Sequence, residues 1–225
     1  MGTSKGYISP STPNWASAKR GVTTYVGNPT PSSRGDAVSK FARAMNADET
    51  MSRRASVIFS NFASFVQESK NHGLSQALNN HQINYIIDLP PEEALIEMIN
   101  AFNEGNTIDD SIANNCISEA LDVLEVTTLD DLANLEINVL IKELVCQFAQ
   151  QKFAQMFDKH IKNKCDNIIT ANERIGDIQN YIYYKLRDDL TPEKLALINP
   201  LDLANEKIID EAMKEAFSIL EYYYG

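Results

Sequence analysis

Residues 132–161 read L-A-N-L-E-I-N-V-L-I-K-E-L-V-C-Q-F-A-Q-Q-K-F-A-Q-M-F-D-K-H-I, a run without Gly or Pro. Among its apolar residues, Leu132, Leu135, Val139, Leu140, Leu144, Val145, Phe148, Phe153, Met156, Phe157 and Ile161 sustain a stripe. They return every three or four positions, the period that gathers side chains on one side of an α-helix; a strand would alternate them. The run therefore predicts the central helix of an all-α fold. Just ahead of it, Thr128 followed by Asp131 resembles a capping box with Asp in place of Glu.

The same period continues on both sides. Toward the C-terminus a helix is expected over about 166–190, with Ile168, Ile169, Ile175, Ile178, Ile182 and Leu186, and Gly176 as a kink or close-approach point. Thr191-Pro192-Glu193 then starts a short helix that ends before Asn199-Pro200, and a last helix covers about 202–224. Toward the N-terminus, Thr107 and Asp110 open a helix reaching about Glu125, and Pro91-Glu92-Glu93 opens one that ends near Glu104-Gly105. Residues 73–90 are ambiguous: Leu74–Leu78 reads as one turn, Asn84–Leu89 as a short strand or a helix end. Two more helices are expected over 52–70 and from Asp36 to about Met45, the latter capped by Asp36. The fold expected is a helical bundle of about seven to eight helices over 36–225. A division into two subdomains, if there is one, falls near 71–91.

Residues 1–35 differ in composition. They hold four of the eight prolines and five of the nine glycines, are rich in Ser and Thr, and contain Lys5, Lys19, Arg20 and Arg34 but no acid. So little apolar surface does not offset the entropy of ordering the chain, and the segment is expected to be a flexible or partner-ordered tail.

The chain has 225 residues, 44% of them hydrophobic and 23% charged, enough for a substantial core. No run approaches the ~18 apolar residues of a membrane span, and the polar start lacks the apolar stretch of a secretory signal. The expected location is cytoplasmic. Cys116, Cys146 and Cys165 are widely spaced, which fits reduced thiols better than a disulfide framework or zinc ribbon. His72, His81 and His160 lie too far apart for a helical two-His metal site, and no nucleophile elbow, Walker loop or dinucleotide fingerprint occurs. No catalytic residue, metal or cofactor is assigned, and the reading is of a protein that is not an enzyme. Three tyrosines at 222–224, and Tyr181, Tyr183 and Tyr184, cannot all face inward, so some are interface candidates.

Formal net charge is −11, which disfavours nucleic acid as a partner of the whole molecule. The charge is uneven: bases predominate through residue 70, and from Asn71 to Ile141 there is no Lys or Arg while thirteen acids occur between Asp88 and Glu136. That acidic stretch lacks the spacing of a calcium loop and reads as a solvated or partner-facing surface.

The start itself carries the clearest chemical suggestion. Loss of Met1 would expose Gly2, whose unhindered α-amine, with an ordinary pKa near 7.7–8.0, is a competent nucleophile toward an activated acyl group. Gly2-Thr3-Ser4, the Pro13-Asn14-Trp15 run, Arg34-Gly35-Asp36 at a helix entry and the acidic all-α remainder together resemble QatB, the small subunit of the Qat anti-phage systems. That resemblance implies a partner protein acting beside a QueC-like enzyme (QatC-type), an ATPase and a TatD-like nuclease. It further implies that Gly2 is the acceptor of a 7-deazaguanine group joined through an amide, with Thr3, Ser4, Pro13 and Trp15 as partner-recognition points. Trp15, the only tryptophan, suits a hot-spot anchor. The competing expectation is an acidic helical regulator or nucleic-acid-contacting adaptor whose basic N-terminal arm comprises Lys19, Arg20, Arg34, Lys40, Arg43, Arg53 and Arg54.

Overall fold

Every regular element that the computed structural model describes, over residues 10–102, 107–191, 195 and 206–222, is helical. The α-helices are α1 (Pro13–Gly27), α2 (Pro31–Asn46), α3 (Thr50–His72), α4 (Leu74–Asn80), α5 (Pro91–Ala101), α6 (Ile108–Val123), α7 (Ile137–Lys162), α8 (Ile168–Asp189) and α9 (Glu206–Glu221). Two short 3₁₀ turns, Asn84–Asp88 and Leu129–Asn134, join them.

Three starts have visible causes. At α2, Pro31 sits in the first turn and Thr30 and Ser33 exchange side-chain and backbone hydrogen bonds as a capping box. At α5, Pro91 is followed by Glu92 and Glu93, which suit the positive end of the helix dipole. At α6, Thr107 Oγ1 accepts from the Asp110 amide at 3.2 Å and Asp110 Oδ2 from the Thr107 amide at 3.0 Å, as the sequence predicts. Between α3 and α4, Gly73 adopts φ +90°, a left-handed value that only glycine takes without cost.

The chain divides into two compact units, each made of discontinuous segments. Residues 1–49, 149–189 and 214–225 form the first; 50–148 and 190–213 form the second. In the first unit Trp15, Phe41, Phe153, Phe157 and Phe217 make an aromatic core, with Phe41 edge-on to Phe153 at 5.3 Å and to Phe217 at 5.9 Å. In the second, Phe62, Phe65 and Phe102 cluster with His81, whose Nε2 lies 3.3 Å from Glu68 Oε2. Phe59 meets Phe148 edge-on at 6.1 Å.

Several expectations need correction. Residues 10–35 are not a tail: α1 occupies Pro13–Gly27 and α2 begins at Pro31, ahead of the expected start at Asp36. Trp15, Ala18, Val22 and Tyr25, at spacings of three, four and three, form a buried stripe on α1. Composition averaged over 35 residues concealed that stripe. Asp36 therefore lies inside α2, where it pairs with Lys40 at 2.7 Å, and Thr30 is the cap. The Thr128–Asp131 box exists, but it opens the 3₁₀ turn at Leu129–Asn134, and the long helix starts at Ile137. The division between the units does not fall at 71–91, which lies wholly inside the second. Of the helix expected after Thr191, only Leu195 is described, and it is helical, its amide donating to the Thr191 carbonyl at 3.2 Å.

Candidate functional site

The first unit carries a polar cleft between the start of α2 and the outer side of α8. Tyr25, at the end of α1, donates its hydroxyl to Asp177 Oδ2 at 2.5 Å, and Arg34, in the first turn of α2, donates Nη1 to Asp177 Oδ1 at 2.6 Å. One carboxylate thus ties three helices together. The Arg34 guanidinium lies 4.6 Å from the centroid of the Tyr181 ring, one turn beyond Asp177 on α8. Tyr184, Lys185 and Asp188 continue the wall, and Lys185 is held by Asp189 at 2.6 Å. The cleft encloses about 420 Å³, within the range of small-ligand sites.

The electrostatics limit what this cleft can do. Burial first, and then the hydrogen bond and negative charge of Asp177, push the Tyr25 hydroxyl well above its ordinary pKa. Tyr25 is therefore a proton-bearing donor at neutral pH, not a base. Arg34 and Lys185 already face carboxylates, so the cleft holds helices together and offers tyrosine faces and one exposed carboxylate, Asp188, to a visitor. Sequence gave no signal for this cluster, because Tyr25 and Asp177 are 152 positions apart.

Of the residues singled out from sequence, Pro13 and Trp15 do not line this cleft. Pro13 is exposed at the first turn of α1, the position its missing N–H suits. Trp15 is fully buried, its ring 6.3 Å from both Phe41 and Phe157, so it is not displayed for a partner; this corrects the recognition role expected of it. Its indole N–H finds no hydrogen-bond partner among the described residues. Gly2, Thr3 and Ser4 lie outside the described residues.

The basic arm of the competing reading is largely engaged in ion pairs. Arg34 meets Asp177, Lys40 meets Asp36, Arg43 Nε meets Glu221 Oε1 at 2.9 Å and Arg54 Nε meets Asp110 Oδ1 at 2.5 Å. At Asp110, fully buried, desolvation works to raise the pKa, but the Arg54 bond and those from Thr107 outweigh it and hold the carboxyl below its usual value. Of the exposed tyrosines the sequence anticipates, Tyr184 and Tyr222 are found on the first unit. Among the described residues no helix is long and apolar enough to cross a membrane.

Compared with known proteins, residues 43–220 match the model of a family described as the Qat anti-phage system associated protein QatB. The match lies in the helical body, and none of the short motifs at 2–4, 13–15 and 34–36 falls within it. No curated protein and no solved structure matches the chain.

Proposed function

The chain belongs to the QatB family of Qat anti-phage system associated proteins, and from that premise we propose that its leading segment is a modification handle. Membership carries a role in anti-phage defence, with other Qat components as partners. In the finer reading, a QueC-like partner joins a 7-deazaguanine group to Gly2 through an amide: the α-amine attacks an activated acyl carbon, the new C–N bond forms, and the activating group departs with its bonding electrons while the nitrogen loses a proton. An ATPase and a TatD-like nuclease complete the set of partners.

The observation that carries this reading is the sequence ahead of α1, where Gly2, Thr3 and Ser4 are followed by no acid before the helix begins. An amine on such a segment does not bring a carboxylate into an active site that handles phosphates. The buried Trp15 sets the handle's length, because the chain is held from α1 onward. Fully extended, the eleven residues from Gly2 to the helix span at most about 40 Å, enough to enter another protein's active site while the helices stay outside. Four of the seven bases of the supposed nucleic-acid arm face carboxylates, which weakens that competing reading.

Co-expression with the QueC-like partner tests the proposal. The N-terminal peptide should gain mass in the wild type and not in Gly2→Pro; an unchanged wild-type mass, or the same gain in Gly2→Pro, would overturn it.

A further inference from the structure

The second unit carries a different kind of site, a small apolar groove in its most acidic region. Leu74, Ile87, Leu89, Pro91, Ala94 and Leu129 supply its apolar lining, Thr128 and Asp130 its polar part, and it encloses about 220 Å³. That is below the roughly 300 Å³ at which drug-sized ligand sites begin, but it accommodates an aliphatic side chain. Ile87 leaves 52% of its surface in water, and Tyr85, two residues earlier, leaves 57%. Each is a large apolar group that the fold itself does not cover.

The charged residues adjacent in sequence to those lining the groove are of one sign, and one of them, Asp130, is itself in the lining. Asp88 follows Ile87, Glu92 and Glu93 lie between Pro91 and Ala94, and Asp130 follows Leu129. All four are exposed, and among the described residues none has a basic partner. Three acids of this unit are satisfied instead: Asp110 is bound by Arg54, Glu136 by Lys70, and Asp131 accepts from the Thr127 and Thr128 amides. No Lys or Arg occurs anywhere from 71 to 141.

We propose that this groove docks a cationic amphipathic segment of a protein partner, with an aliphatic side chain seated between Ile87, Leu89 and Leu129 and flanking lysines or arginines facing Asp88, Glu92, Glu93 and Asp130. Apolar burial supplies the hold and the uncompensated carboxylates supply partner choice and a fast approach. The site is independent of Gly2, and its test does not involve modification of that residue.

The probe is a fluorescent helical peptide of leucine and lysine with an apolar stripe, titrated onto the full chain and followed by anisotropy at two salt concentrations. Binding that weakens with salt and is absent for the same peptide with glutamate replacing lysine is expected. Ile87→Glu separates docking from mere charge attraction, because it adds a negative charge yet blocks the groove: it should weaken binding at least tenfold. Asp130→Lys should weaken it comparably, and Glu119→Lys, an exposed site on α6 that does not line the groove, less than threefold. Absence of binding, equal or tighter binding by Ile87→Glu, or an equal loss in Glu119→Lys would overturn the proposal. So would sedimentation showing a dimer that Ile87→Glu dissociates, since the occupant would then be a second copy of this chain.

Discussion

Asp110 is fully buried, yet it remains a carboxylate because it accepts from Arg54 Nε and from the Thr107 amide. Removing one member of such a pair strands the other, which typically costs 3–5 kcal/mol when both are buried. Arg54 is about a third exposed, so Arg54→Ala should destabilise by roughly 2–4 kcal/mol, read as a lower urea midpoint. The capping half of this arrangement was legible from Thr107 and Asp110 alone; the Arg54 half, 56 positions away, was not. His160 gives a residue-level effect at milder pH. Its Nε2 sits 2.9 Å from Thr23 Oγ1, and burial, followed by the charges of Lys164 and Lys19, holds its pKa below the ordinary value. A histidine whose pKa falls on folding favours the folded state most fully above its unfolded value, near 6.5, and that contribution is lost as pH drops below it. Between pH 7.5 and 5.5 the wild type should therefore lose more thermal stability than His160→Gln. With the ring only partly buried, the difference should be on the order of 1–2 °C.

At the scale of elements, α1 is where two sequence signals, composition and periodicity, point in opposite directions. Its composition, with Gly21, Thr23 and Thr24 and no acid, is that of a tail, but Trp15, Ala18, Val22 and Tyr25 keep helical spacing. Periodicity decides because burial against α2 and α7 rewards the stripe, whatever the average composition around it. The contact is close: a Cβ on Gly21 would lie 3.1 Å from the Ala37 Cα of α2. Trp15→Ala should cost about 3–5 kcal/mol and speed amide exchange along α1 first, whereas Trp15→Phe, which removes the unpartnered N–H, should cost much less. Equal exchange in α1 and in α3 of the Ala variant would contradict this placement of the tryptophan. Two helix ends rest on left-handed non-glycine residues, Gln82 at φ 59° and Glu125 at φ 57°. The Val126 amide reaches the Leu121 carbonyl at 3.0 Å across the second of them, the pattern that glycine suits best. Glu125→Gly should therefore raise stability by about 0.5–1 kcal/mol, measurable as a higher urea midpoint with unchanged slope.

At the scale of the whole molecule, helical class and most helix positions followed from apolar spacing, because a helix buries one stripe whatever its partners are. How segments pool into two units did not follow, since the first unit draws residues 1–49 together with 149–189 and 214–225 through contacts that leave no local mark. The charge plan was legible from sequence, but its meaning was not. Bases that looked like an arm are paired within their own units, while the acids beside the groove of the second unit remain uncompensated. In the proposed function, the segment ahead of α1 serves another protein's chemistry. The most direct test is the intact mass of the chain from cells carrying the complete Qat system, set against cells lacking the proposed QueC-like partner. A single added mass that maps to Gly2 and disappears with that component is the result the account predicts; an unmodified chain in both cells, or an addition elsewhere, would contradict it.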